Sequence, residues 1–165
     1  MVIEPERTQR ASLDRRGLAL VVLAVTAGTL VYLFARAPAT YVAWPVHNLA
    51  LPRLGLGLLA ASLPSFCHTF AFAWLGAELL RPWRSAARGF LLVWILFEAG
   101  VELAQIKALA RGIDSALAWL GGAWADAIGG YLMRSTFDPA DLAAVAAGGV
   151  AAWWVHVNPR LRGRT

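Results

Sequence analysis

Residues 17–35, GLALVVLAVTAGTLVYLFA, run for nineteen positions without a charged side chain. No other feature restricts the fold of this chain more. A helix of that length rises about 28 Å, close to the ~30 Å hydrocarbon core of a bilayer. Backbone amides in lipid must be satisfied within the segment, so a crossing of this kind is helical. Ala35-Arg36-Ala37 also has the A-x-A form of a signal-peptide cleavage site, but Pro38 would follow the cut and the run is long for a cleaved leader.

Three later segments have the same character: 64–80, PSFCHTFAFAWLGAELL; 89–106, GFLLVWILFEAGVELAQI; and 139–157, PADLAAVAAGGVAAWWVHV. The chain is 59% hydrophobic and 15% charged, against about a quarter charged in soluble domains. The expected fold is an all-α membrane protein, a four-transmembrane-helix bundle forming a single integral membrane domain over residues 1–165. The segments 36–63 and 107–138 form its outer parts, and the lipid bilayer is its first partner.

The net charge of +5 does not point to nucleic acid, because the arginines punctuate the ends of apolar runs and form no single patch. Arg7, Arg10, Arg15, Arg16, Arg81, Arg84, Arg88, Arg160, Arg162 and Arg164 fall on one side. Arg36, Arg53, Lys107, Arg111 and Arg134 fall on the other, over longer stretches. Positive charge marks the cytoplasmic side, so both termini are expected inside. Trp83, Trp153 and Trp154 then lie at the inner interface, and Trp44, Trp119 and Trp124 near the outer one. Cys67 is the sole cysteine, which excludes an intrachain disulfide and a cysteine-based zinc site.

Two outer segments are more than loops. In GIDSALAWLGGAWADAIGG, residues 112–130, Ile113, Leu117, Leu120, Trp124 and Ile128 share one face, which predicts a helix lying in the membrane interface. VHNLALPRLGLGLLAASL, residues 46–63, is apolar but broken by Pro52, Gly55 and Gly57. It reads as re-entrant, interfacial or a fifth crossing, and a crossing would spoil the arginine asymmetry.

FEAGVELAQ, residues 97–105, places two acids and an amide inside an apolar run. At 100° per residue Glu98, Glu102 and Gln105 lie at about 0°, 40° and −20°, one narrow stripe. A carboxylate at mid-bilayer costs about 2.5–3.5 kcal/mol on insertion scales, so the stripe should face other helices. Counting back from Lys107, Glu102 lies roughly 7 Å in and Glu98 about 13 Å in. Glu98 is expected to be a neutral helix contact, and Glu102 the ionised working group. In the second span His68 lies about 6 Å beyond Pro64, level with Glu102 by this count. The last span opens with Asp138 and Asp141 and continues with a small-residue face of Ala144, Gly148, Ala151 and Ala152.

These residues predict an outward-facing polar pocket. His68, Glu102 and Asp141 are its candidate catalytic groups, and Gln105, Asp138, Glu98 and Arg134 its candidate binding groups. Plainer roles exist for each. Asp138-Pro139 is an ordinary helix start, Asp141 a first-turn acid favoured by the helix dipole, and the glutamates and His68 polar links between helices. Cys67 reads as a small buried residue, and His47, His156 and Glu78 lie near segment ends without an assigned role.

SFCHTFAF in one span, Glu102 to Gln105 as E-x-x-Q late in the next, and FDPADLAAVAAGG opening the last resemble the VanZ-like family. These are small bacterial inner-membrane proteins, named for a member linked to resistance to the glycopeptide teicoplanin. The resemblance covers about residues 64–152 and singles out His68, Glu102, Gln105, Asp141 and Gly148, with Asp138 and Arg134 beside them. Val145 stands where the family commonly has an asparagine, and Arg134 lies seven residues before Asp141 where six is usual. The resemblance implies a protein of the bacterial cytoplasmic membrane and supplies neither a reaction nor a cofactor. The depth of the polar pocket suits binding or modification of an envelope amphiphile, such as a lipid-linked precursor, a phospholipid headgroup or a lipophilic antibiotic. Three other functions fit the residues: a structural or partner-binding membrane protein, an acid/base enzyme in which Asp138 and Asp141 hold a divalent cation, and a proton-coupled carrier.

Overall fold

The computed structural model describes residues 14–34 and 57–158, and the described chain is all-helical. Its elements are α1 (Arg15–Phe34), α2 (Gly57–Leu79), α3 (Arg84–Ala104), α4 (Lys107–Leu120), α5 (Ala123–Arg134) and α6 (Pro139–Val157). Ala35–Ala37, Trp44, His47 and residues 46–56, with the arginines at 7, 10, 36, 53, 160, 162 and 164, lie outside the described residues.

Each helix boundary has a local cause. Asp14 caps α1: its Oδ1 accepts from the Arg16 amide at 3.1 Å and its carbonyl from the Leu18 amide at 2.9 Å. Asp138 does the same for α6, accepting from the Ala140 amide at 2.9 Å, with Pro139 in the first turn where no amide is needed. The α2–α3 hairpin closes through Leu80–Trp83, and α3 ends as Ile106 turns to extended geometry (φ −60°, ψ 123°). The chain bends there by 98° into α4.

Two sequence expectations are corrected. The second helix starts at Gly57 rather than Pro64, so the end of the 46–63 segment belongs to α2 and Pro64 lies inside a helix. The stripe over 112–130 is two helices, because Gly121 and Gly122 adopt φ of 70° and 95°. Those left-handed values cost a side-chain-bearing residue about 1–2 kcal/mol, so the glycine pair ends one helix and starts another. α4 and α5 fold back on each other, with Ala110, Ala125 and Gly129 buried. The last span, 139–157, is α6 residue for residue.

α2 is the central element, packed on α1, α3 and α6, with α3 also against α6. The core is made by Phe70, Trp74 and Leu91 set among Ala71, Ala73, Ala77, Ala87 and Ala152, with Val21 and Val155 at its margins. Alanine and glycine at the contacts let backbones approach closely. A Cβ on Gly148 would lie 2.6 Å from the Phe66 carbonyl oxygen, and one on Gly17 would enter the Trp74 ring. The outer surface is the apolar one: Val22, Leu23, Val25, Leu92, Val93, Leu96, Phe97, Val150 and Trp154 are all exposed. Small residues inside and large apolar residues outside reverse the usual pattern of a water-exposed domain. Among the described residues α6 is by itself long and apolar enough to cross a membrane, and α3 with α4 pass the same test only together, across their bend.

Candidate functional site

The short α2–α3 turn sets the register of an antiparallel pair. Gly76 lies against the Phe90 ring, and one stretch further from the turn His68 Nδ1 meets Glu98 Oε1 at 3.1 Å. The expected partner of His68, Glu102, is instead bonded within its own turn: Gln105 Nε2 donates to Glu102 Oε2 at 3.0 Å. The difference has a physical cause. Depth counted from Pro64 omits the first two turns of α2, whereas a tight loop pairs residues roughly equidistant from it. His68 lies eleven positions before Leu79, and Glu98 fourteen after Arg84, nearer than Glu102 at eighteen.

The histidine packs beside aromatic rings. Phe72 lies 4.6 Å from it and Trp94 6.2 Å, between ring centroids. Phe72 stacks on Trp94 at 5.6 Å, and Phe97 tilts against Trp94 at 5.6 Å. His68 is half-exposed at 51% while the Glu98 side chain is 12% exposed. The carboxylate engages Nδ1, and Nε2 is the ring nitrogen outside the pair. In the neutral ring a carboxylate on Nδ1 favours the tautomer with its proton there, and Nε2 is then the acceptor.

α6 brings the third side. Gly148 lies against Phe66 and Phe70 of α2, Gly149 against Ile95 of α3, and the last turn of α6 sits beside the α2–α3 turn. α6 thus runs parallel to α2 and antiparallel to α3. Asp141, two turns before Gly148, comes level with about residues 103–105 of α3. Asp141 and Gln105 are both buried and share that level with Glu102. His68 and Glu98 lie roughly 6–10 Å further along the bundle. The predicted residues fall on two levels: His68, half-exposed, with Glu98, and nearer the helix ends half-buried Glu102 with buried Gln105 and Asp141.

Asp138 is spent as the α6 cap. Arg134 is exposed in the last turn of α5, where a Cβ on Gly130 would come within 3.2 Å of its Nη1. Among the described residues no three His, Cys, Asp or Glu side chains are grouped so as to hold a metal ion. The structure therefore gives the Asp138–Asp141 cation idea no ligand set.

Sequence reasoning missed two contributors. Lys107 Nζ donates to the carbonyls of Met133 (2.9 Å) and Ser135 (2.7 Å), tying the start of α4 to the end of α5 just before the strand-like residues that lead into Asp138. Carbonyls at a helix C-terminus are natural cation acceptors. The other is the Phe72–Trp94–Phe97 wall, which in the sequence is part of the apolar spans. Its spacing is a visible signal, since Trp94, Phe97 and Glu98 share a helix face at i, i+3 and i+4. Comparison with models of protein families, with characterised proteins and with solved structures finds no match.

Proposed function

We propose that this chain is a VanZ-like, four-span protein of the bacterial cytoplasmic membrane, with both termini cytoplasmic, that binds a cell-envelope amphiphile at His68. In this reading α1, α2, α3 and α6 cross the bilayer, and the α4–α5 hairpin lies in the outer interface. The exposed apolar faces of α1, α3 and α6 support that placement, as does the 98° turn that lays α4 across the end of α3. Trp119, 88% exposed, and Trp124 and Ile128, about half exposed, give the hairpin an apolar side for the interface.

The His68–Glu98 pair beside the Phe72 and Trp94 rings carries the proposal. An ionisable pair within a span marks a functional site by default. This one offers a single polar atom, Nε2, beside the rings of Phe72 and Trp94. A ligand with a hydrogen-bond donor joined to an apolar body matches that surface: the donor meets Nε2 and the body lies along the rings. A lipid-linked precursor or an amphiphilic antibiotic of the teicoplanin type has this character. Half-buried Glu102 and the buried Gln105 and Asp141 act behind it as the positioning level that holds α3 and α6 together.

The same geometry favours a second reading, an acid/base enzyme on a lipid-linked substrate. A histidine oriented by a carboxylate and open at Nε2 is the arrangement of a general base. In that case Nε2 takes a proton from the substrate and Glu98 stabilises the imidazolium that results.

The test is expression of His68→Ala, Glu98→Gln and Asp141→Asn chains in a bacterial host, with teicoplanin susceptibility and membrane abundance measured together. His68→Ala is expected to remove the susceptibility phenotype at near-normal abundance. Phenotype loss that tracks abundance in all three variants would instead make the cluster structural. Lipid mass spectrometry separates the two readings: an altered envelope lipid that requires His68 marks the enzyme, and unchanged lipids mark the binder.

A further inference from the structure

We infer that the opposite end of the bundle holds a second site, a pocket for a phosphate-bearing anion, independent of the His68 reading. A concave pocket of about 300 Å³ is lined by Arg81, Arg84, Arg88, His156 and Val157. That volume is at the lower end of the ~300–1,000 Å³ of small-ligand sites. Arg81 comes from the α2–α3 turn, Arg84 and Arg88 from the first two turns of α3, and His156, buried, from the last turn of α6.

Charge at this pocket is not balanced by its own lining. Arg81 Nη1 is paired with Glu78 Oε1 at 3.0 Å, and among the described residues no acidic side chain lines the pocket beside Arg84 and Arg88. Those two stand at i and i+4, where like charges oppose helix formation. They also occupy the N-terminal turns of α3, where the helix dipole favours anions, and that terminus has no acidic residue in its first turn and no side-chain cap. The C-terminus of α6 adds its carbonyl dipole, worth about half a charge, against two full cations. An anion in the pocket relieves the arginine pair beside the uncapped N-terminus of α3. Arginine forks match phosphate oxygens in bidentate geometry, which makes phosphate the best-suited anion. Trp83 and Trp154, 62% and 56% exposed, lie at the same end. A basic pocket between helices at such an end is how membrane proteins hold phospholipid headgroups, and a soluble phosphate ester offers the same chemistry.

The experiment is native mass spectrometry on the full chain in detergent, titrated separately with short-chain phosphatidylglycerol, short-chain phosphatidylcholine and glycerol 3-phosphate. The wild-type chain is expected to retain a phosphate-bearing anion at least about tenfold better than phosphatidylcholine, and Arg84→Gln/Arg88→Gln to lose about tenfold of that. Arg15→Gln/Arg16→Gln removes the same charge from exposed residues at the same end, outside the pocket, and is expected to change retention less than about twofold. Preferential retention of phosphatidylglycerol identifies a headgroup site, and equal retention of glycerol 3-phosphate identifies a soluble ester; either supports the inference. If the glutamine pair does not give monodisperse protein, Arg84→Lys/Arg88→Lys keeps the charge, removes the forks and is expected to weaken retention about threefold or more. Three results overturn the inference: no preference over phosphatidylcholine, unchanged retention in the pocket variants, or an equal loss in the Arg15/Arg16 chain.

Discussion

Gly148→Ala tests the helix contact on which the site depends. A Cβ at this position would lie 2.6 Å from the Phe66 carbonyl oxygen, 3.2 Å from the Phe70 amide nitrogen and 3.3 Å from the Phe66 carbonyl carbon. The first distance is 0.4 Å inside the 3.0 Å that real Cβ atoms essentially never cross. All three atoms are backbone of α2, so no rotamer change relieves the clash and α6 must move outward as a unit. Overpacking of this kind costs about 1–3 kcal/mol. Replacing glycine by alanine in a helix returns up to about 1 kcal/mol, which leaves a net loss of roughly 1–2 kcal/mol. At about 2–4 °C per kcal/mol for a chain of this size, Tm should fall by several degrees. Thermal unfolding of the detergent-purified chain, followed by far-UV circular dichroism, measures it. Gly100→Ala is the matched control. It sits in mid-α3, exposed, with nothing within 4 Å of its Cβ position, and should be neutral to slightly stabilising. A Gly148→Ala chain as stable as wild type, or a shift equal to that of Gly100→Ala, would refute the close approach of α6 to α2 and the level assigned to Asp141 with it.

Other outcomes follow from the same geometry. Gly121→Ala and Gly122→Ala force a side chain into left-handed backbone and should each cost about 1–2 kcal/mol, read as faster hydrogen exchange in α4 and α5 with α2 unaffected. Lys107→Met removes both bonds to the end of α5 and should loosen residues 131–137 in the same experiment; unchanged exchange there would mean the tie contributes nothing. Gln105→Ala takes away the hydrogen bond to Glu102 at a cost of about 1 kcal/mol, with Tm as the measurement. Phe137→Cys in a Cys67→Ser background should react with an impermeant thiol reagent applied from outside cells, and labelling only after lysis would invert the proposed orientation.

Several elements were legible because their signals are local. Uncharged runs and the Asp138-Pro139 start locate α1 and α6 to within two residues, whereas α3 begins at Arg84, five residues before the apolar run that marks it, so Arg84 and Arg88 are helical. Gly121-Gly122 carried its signal too, yet the apolar stripe across it was read as continuous. A hydrophobic face measures side-chain period and is blind to backbone φ, which is what broke the helix there. The start of α2 was missed because Pro64 looks like a boundary, while helices between neighbours can tolerate proline by other backbone contacts.

The sequence by itself determined that the chain is helical, that its polar residues lie on faces shared within each helix, and that His68, Glu98, Glu102, Gln105 and Asp141 are the side chains out of place in an apolar setting. Those are properties of composition and of a 3.6-residue period. Partners between helices were decided only by the tertiary structure. The tight turn after α2 pairs His68 with Glu98, Gly148 sets how far α6 slides along α2, and packing of the two helices sets Phe72 and Trp94 beside the histidine ring. Axial register depends on loop length and on the closest backbone contact between two helices, and no single helix records either. A shift of one turn, about 5.4 Å, suffices to hand His68 from one glutamate to the other.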